Sequence, residues 1–308
     1  MLTKIKVKGN ITVAYNKGRH SVKKKVINKN KVMYLVIPVV LSLGIFIGYK
    51  EISNAFSNTD NEITQKEIQL SKEIIESQDP VVKKLVKLSP AYPRVYDILK
   101  NIDQYPHELL EMASKKPETV EYVADYPNHK DVETSTPISV KSEYKKGEIP
   151  LFMQWDKRWG YDKYGPDFFA INGCGPTALS MVTVGLTGNT NISPRYVENF
   201  SKENGYLVEG VGTAWSLMTE GARQLGLKSK VIPLSEASII STLEQGHPII
   251  VTMGPGHFTT EGHYIVLTGV TPDGKIKVND SDSIKRSNQT WDVDVFLKEA
   301  KNLWAFSV

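Results

Sequence analysis

The longest apolar segment of the chain lies between Val32 and Tyr49, where 18 consecutive residues carry no charge. A helix of this length spans about 27 Å, close to the roughly 30 Å hydrocarbon core of a bilayer. The segment has no amphipathic face, which disfavours a buried core helix. We expect a single-pass membrane anchor or uncleaved signal. A signal peptide cleaved after Ala55 is the alternative, because small residues stand there at a plausible spacing.

Shorter helical patterns fill residues 50–146, which are charged throughout. Asp79 followed by Pro80 is typical of a helix start, and later prolines divide the rest into short helices. We expect a small helical region or stalk that packs on the domain after it. Residues 134–146 are polar and are predicted to be the final linker.

The hydrophobic pattern changes at residue 147, and this part continues to residue 308. Strand patterns with many apolar residues occur at 247–254, 263–271, 275–280 and 302–308. Helical patterns lie mostly before them, at 174–186, 193–204, 213–225 and 235–245. Helices followed by a meander of strands predict an α+β fold.

The net charge of +4 conceals two oppositely charged parts. Residues 1–31 contain nine lysines, one arginine and no acidic residue, whereas the rest of the chain has 28 basic and 34 acidic residues. A basic flank beside an apolar segment is typical of a cytoplasmic amino terminus, so we expect residues 147–308 to be extracellular. Such an arm favours contact with anionic lipid, and we expect no nucleic-acid partner.

Cys174 is the only cysteine, which excludes an intramolecular disulfide and a zinc site built from several thiolates. Gly173 and Gly175 flank it, and Pro176 opens an apolar helical pattern. Cys174 is therefore predicted at a helix amino terminus, with glycines that allow a tight turn and close approach of a substrate backbone. The helix dipole at that position favours a thiolate. From these residues alone, a nucleophile and a small core cysteine both remain open.

A thiolate nucleophile requires a base that a third group orients. Among six histidines, His263 is the best candidate because it opens the most apolar predicted strand. A hairpin turning at residues 272–274 returns the chain to the same end of the sheet, which brings Asn279 and Asp280 near His263. Side chains alternate along a strand, so only one of these two can face the histidine.

These residues resemble cysteine peptidase family thirty-nine, the bacteriocin-processing or double-glycine peptidases, and above all its stand-alone exported members. The similarity covers residues 149–308 and consists of Gln154 in IPLFMQWDKRWG, Cys174 in GCGPTALSM, His263 in GHYIVLTGV and Asp280 in KIKVND. The family commonly has a proline after the aspartate. Ser281 stands here instead, which keeps Asn279 as the alternative to Asp280.

The resemblance implies a papain-like fold, with helices packed on an antiparallel sheet, and cysteine-type cleavage of a peptide or protein substrate. Cys174 would be the nucleophile, His263 the base, Asp280 the orienting group, and Gln154 a donor to the oxyanion. We expect no cofactor and no metal. Two other functions remain open: a cell-wall peptide or amide hydrolase of the same fold, and a catalytically inactive cell-surface binding module.

Overall fold

The computed structural model describes residues 70–308, apart from 131, 133–136 and 211. The basic arm, the predicted anchor between Val32 and Tyr49, and the predicted cleavage position at Ala55 lie outside the described residues. None of the described helices is long and apolar enough to cross a bilayer. The described residues belong to one unit, Gln69–Val308.

Short helices occupy residues 70–130, here called the helical region. The carboxylate of Asp79 accepts hydrogen bonds from the backbone N–H groups of Val81 and Val82, and Pro80 is the first helical residue, as predicted. The helices are α1 (Lys72–Ile75), α2 (Pro80–Leu88), α3 (Arg94–Lys100), α4 (His107–Lys115) and α5 (Val120–Asp125), with 3-10 turns at Ile102–Gln104, Pro117–Thr119 and Tyr126–Asn128.

The helical region packs directly on the part of the chain that follows it. Its apolar core, drawn from α2 to α5, also contains Phe168 and Ala170. The Tyr122 hydroxyl donates a 2.8 Å hydrogen bond to the Gly160 carbonyl, and its ring stacks on Tyr161 with 4.4 Å between centroids. These apolar and polar contacts fix the helical region against the carboxyl-terminal part.

The carboxyl-terminal part combines helices with antiparallel strands, which confirms the predicted mixture of helix and sheet. Its helices are α6 (Phe169–Asn172), α7 (Cys174–Thr187), α8 (Pro194–Glu203), α9 (Glu220–Gln224), α10 (Glu236–Glu244), α11 (Ile284–Ser287) and α12 (Val293–Glu299). Its strands are β1 (Lys163–Tyr164), β2 (Asp167–Phe168), β3 (Leu207–Val208), β4 (Gly212–Thr213), β5 (Lys228–Val231), β6 (Ile249–Met253), β7 (His263–Val270), β8 (Ile276–Asn279), β9 (Thr290–Trp291) and β10 (Ala300–Ser307).

Six of these strands form one antiparallel sheet in the order β5-β10-β6-β7-β8-β9. The hairpin between β7 and β8 turns where the sequence predicts, because Gly274 has a φ of 80° that suits a tight turn. The first residues of β7 and the last residues of β8 therefore meet at one end of the sheet.

Both faces of the central strands are buried. Alternate residues of β6, β7 and β10 pack with α7 and α8 on one face, including Ile250, Val266 and Trp304. The intervening residues pack with α10 and α12 on the other face, including Val251 and Leu267. Burial on both sides explains why these strands are continuous apolar runs in the sequence.

The predicted helix at 213–225 is confirmed only in part. Thr213 pairs with Leu207 across the β3–β4 hairpin, and the rest of the segment divides into a 3-10 helix at Trp215–Met218 and α9. Strand β5 was also not predicted, because it is a mostly exposed edge strand with lysines in place of apolar alternation.

The predicted linker at 134–146 does not run free of the fold, because Val140 packs against the carboxyl-terminal part of the chain. Val140 is fully buried in the same apolar cluster as α7. Its backbone N–H donates a 2.8 Å hydrogen bond to the carbonyl of Thr190. The chain is therefore held to the fold before residue 147 is reached.

Candidate active site

Cys174 is the first residue of α7 and is a partly exposed, free thiol. The glycines beside it are required by packing. A Cβ on Gly173 would meet the carbonyl oxygen of Phe169 at 2.5 Å, and one on Gly175 would meet Oγ1 of Thr213 at 2.6 Å. The space beside these glycines is thus filled by atoms of the protein itself, whereas the sequence analysis expected a substrate backbone there.

His263 is the first residue of β7, opposite Met253 of β6. Only 7% of His263 is exposed, and Asp280, which directly follows β8, is fully buried. The antiparallel pairing of β7 with β8 brings these two residues together at the end of the sheet. A strand end surrounded by packed side chains is a rigid support for an imidazole.

Asp280 faces the histidine and Asn279 does not. Oδ1 of Asp280 accepts a 2.8 Å hydrogen bond from Nε2 of His263. The side-chain amide of Asn279 instead donates to the carbonyls of Ile149 and Pro150, at 2.9 and 3.1 Å. The alternation of side chains along β8 therefore selects Asp280 as the partner of His263.

The imidazole also interacts with the thiol. Cys174 and His263 line the same cleft, and the interaction with Cys174 helps to raise the pKa of His263. Because Nε2 faces Asp280, Nδ1 is the ring nitrogen left for the sulfur. The three side chains form a continuous line from a helix amino terminus through a strand end to the end of the next strand.

The charges in this line support one another. Burial by itself lowers the pKa of His263, but the charge and hydrogen bond of Asp280, together with Cys174, outweigh it and raise that pKa to about 10. Burial likewise raises the pKa of Asp280, whereas His263 and Arg286 lower it to about 2. The pair therefore favours imidazolium and carboxylate at neutral pH.

Gln154 lies beside this line and is 2% exposed. Its Nε2 donates to the carbonyls of Ala170 and Ile171 at 2.9 and 3.0 Å. Its Oε1 lies 2.9 Å from the hydroxyl of Ser281, which donates to it. These three contacts fix the orientation of the amide, with the nitrogen directed toward α6.

The model of the Peptidase_C39 like family matches residues 146–306, slightly more than half of the chain. The chain belongs to the C39-like peptidase family. The matched residues include Cys174, His263 and Asp280, as well as Gln154. The predicted resemblance to cysteine peptidase family thirty-nine is confirmed, and the carboxyl-terminal part is a C39-like peptidase domain.

Among solved structures, the chain is similar to the peptidase domain of Streptococcus ComA, a bi-functional ABC transporter involved in a quorum sensing pathway. The sequences are 22% identical, the alignment covers 47% of this chain and 98% of that one, and the TM-score is 0.36. No curated protein matches the chain.

The thiol of this C39-like peptidase opens into a cleft of about 840 Å³. Gln154 and His263 line the cleft together with Trp215, which is 50% exposed. The loop at residues 254–262 forms another wall through Gly256, His257 and Phe258. No group of three or more His, Cys, Asp or Glu side chains within the described ranges is placed to hold a metal ion.

Arg286 is a site residue that the sequence analysis missed. Its Nε donates a 2.5 Å hydrogen bond to Oδ2 of Asp280, and its second nitrogen donates to Asp282 at 3.0 Å. Ser283 caps α11 and so presents Arg286 toward Asp280. The capping serine and the i,i+4 spacing of Asp282 and Arg286 are the sequence signals that indicate this arrangement.

Proposed function

We propose that this C39-like peptidase cleaves peptide bonds with a catalytic triad of Cys174, His263 and Asp280. The observation that carries the proposal is the imidazole of His263, which donates a hydrogen bond to the buried carboxylate of Asp280 and lines the same cleft as the Cys174 thiol. A nucleophile, a base and an orienting group in contact are the requirement for nucleophilic catalysis.

The proposed reaction has two steps. The sulfur of Cys174 attacks the substrate carbonyl carbon, and the protonated His263 gives its Nδ1 proton to the leaving amine as the C–N bond breaks. Water then attacks the resulting thioester, and His263 accepts one proton from that water. The C–S bond breaks, which restores the thiolate and releases a carboxylic acid that gives its remaining proton to solvent. Asp280 stays ionised and holds the ring through Nε2 in both steps.

The oxyanion formed during each attack needs hydrogen-bond donors. The backbone N–H of Cys174 is one, because the first N–H groups of a helix have no partner within it. The amide of Gln154 is the second and borders the same cleft. Both of its hydrogens already face the carbonyls of Ala170 and Ile171, so Gln154 has to share or exchange one of these bonds when the oxyanion forms.

We also propose that the peptidase is anchored in the membrane by the segment between Val32 and Tyr49, with its domain outside the cytoplasm. The basic residues at 1–31 and the uncharged segment after them support this topology. A cysteine-accessibility experiment with an impermeant thiol reagent tests it. Cys174 should be labelled on intact cells, and labelling only after lysis would place the domain inside.

Hydrolysis of a fluorogenic peptide mixture by the full chain tests the catalytic proposal. Wild type should cleave the mixture, and Cys174→Ser should lose turnover while unfolding at the same temperature. Purified peptidoglycan stem peptides, assayed in parallel, separate general peptide substrates from cell-wall peptides. If Cys174→Ser cleaves as fast as wild type, the assignment of the nucleophile is wrong.

A further inference from the structure

The helical region reaches the segment that carries Asp280. Two of its side chains, Lys116 and Glu118, follow α4 and contact residues 280–287. Lys116 forms an ion pair with Asp282. Glu118 accepts hydrogen bonds from the first two backbone N–H groups of α11, at 3.0 and 3.4 Å. Both contacts join positions more than 160 residues apart.

These contacts continue into the proposed triad as a row of alternating charges. Lys116 pairs with Asp282, Asp282 pairs with Arg286, and Arg286 pairs with Asp280, which holds His263. Asp280 is fully buried and Asp282 is 8% exposed. Charges buried to this extent are only weakly screened by salt. Each member of the row therefore restrains the position of the next.

The backbone that presents Lys116 is held in place. The hydroxyl of Thr119, a fully buried residue, donates a 2.8 Å hydrogen bond to the carbonyl of Lys116. A few residues on, Tyr122 is fixed to Gly160 and stacked on Tyr161. The helical region thus presents Lys116 from a packed support.

We propose that the helical region is a positioning element of the peptidase, and that Lys116 and Glu118 hold the segment 280–287 so that Asp280 meets His263. The inference rests on the proposed function of the triad. It goes beyond the family match, which begins at residue 146 and does not include the helical region. Lys116 and Glu118 act through Asp282 and α11, so they are positioning residues.

Removal of one positioning contact should affect catalysis more than stability. The Lys116 side chain is 34% exposed, and an ion pair at that exposure contributes little to folding. Without Lys116, however, Asp282 keeps Arg286 as its remaining cation, and the guanidinium is drawn away from Asp280. A small displacement of a catalytic group can cost about 10²-fold in rate, so we expect kcat to fall about tenfold. Lys116 also lines the cleft whereas Glu118 does not, so Glu118→Gln is the variant in which KM should stay unchanged.

The test compares Lys116→Met and Glu118→Gln with Lys100→Met in the full chain. Lys100 is an exposed lysine of the helical region for which the described residues supply no ion-pair partner, which makes it the matched control. The spectroscopic readout is the NMR signal of the Nε2 proton of His263, identified by its loss in His263→Gln. The kinetic readout is kcat and KM for the best-cleaved peptide of the fluorogenic mixture.

The proposal predicts that Lys116→Met and Glu118→Gln shift or broaden the His263 signal and lower kcat. Lys100→Met should change neither the signal nor kcat. Lys116→Arg keeps a cation at this position and should show the wild-type signal and kcat. An unchanged His263 signal in Lys116→Met and Glu118→Gln overturns the inference, whatever the activity. A changed signal in a chain that cleaves no peptide supports the positioning contact and counts against the proposed function alone. The two failures are therefore distinguishable.

Discussion

The carboxylate of Asp280 accepts a 2.8 Å hydrogen bond from His263, while Asn279, the residue before it, donates its amide to two carbonyls on the opposite side of β8. One residue thus orients the imidazole, and its neighbour fastens the strand to the segment at Ile149 and Pro150. Substitution of Asp280 should therefore affect turnover, and substitution of Asn279 should affect stability.

Asp280→Asn should lower turnover by about 10²-fold or more, because an amide stabilises the imidazolium less and offers a different hydrogen-bonding pattern to the ring. Asn279→Ala should keep most of the turnover. It should lower the free energy of unfolding by about 1–2 kcal/mol, since two hydrogen bonds to carbonyls are lost. Steady-state kinetics and urea denaturation of both variants check this. Equal losses of turnover would contradict the assignment of Asp280.

The stability of the fold should depend on pH through His263 and Asp280. The pKa of His263 is raised from 6.5 to about 10, so its stabilisation is complete below about pH 6.5 and is lost as the pH rises toward 10. The pKa of Asp280 is lowered from 3.8 to about 2, so its stabilisation is complete above about pH 4 and is lost as the pH falls toward 2.

The two effects together give a maximum between about pH 4 and 6.5. Urea denaturation of wild type and His263→Gln between about pH 4 and 10 measures it. The stability advantage of wild type over the variant should shrink steadily from about pH 6.5 to 10. A constant difference over that range would show that His263 does not titrate as proposed.

The glycine after the nucleophile should tolerate no side chain. Gly175→Ala places a Cβ 2.6 Å from Oγ1 of Thr213, so we expect a loss of about 1–3 kcal/mol through overpacking. Gly262→Ala is the control: Gly262 borders the cleft into which Cys174 opens, and its Cβ would meet no atom within 4 Å. Thermal unfolding of both variants tests the difference, and similar melting temperatures would contradict the packing account.

Trp215 should contribute to substrate binding. It is 50% exposed, lines the cleft, and packs edge-on against Trp304 with 5.5 Å between ring centroids. In Trp215→Ala we expect KM to rise about fivefold, as for a contact residue worth about 1 kcal/mol, with kcat nearly unchanged. Tyr196→Ala is the control, because Tyr196 is 46% exposed on α8 and is not part of the cleft wall. A KM equal to that of the control would exclude Trp215 from binding.

The sheet could be predicted from the sequence because its strands are apolar runs bounded by turns. The runs predicted at 263–271 and 275–280 form β7 and β8, and all four ends lie within one residue of the predicted bounds. The helix amino terminus at Cys174 was equally readable from its glycines and proline. In these cases a local pattern determines the structure.

The rest of the site depends on contacts between distant residues. Asn279 turns away from His263 because of carbonyls about 130 positions earlier, and Lys116 reaches Asp282 across 166 positions. Gln154 is fixed by Ser281, 127 positions away. No local pattern records such pairings, so the sequence alone left Asn279 open and did not indicate the contribution of the helical region.

The most direct test of the central claim is covalent labelling of the folded chain with a peptidyl fluoromethyl ketone, followed by mass mapping of the adduct. The account predicts a single adduct on Cys174 in wild type. Labelling should be much slower in His263→Gln, although that variant stays folded. Labelling that occurs only after unfolding, or that proceeds equally fast without His263, would contradict the catalytic role of the Cys174–His263–Asp280 line.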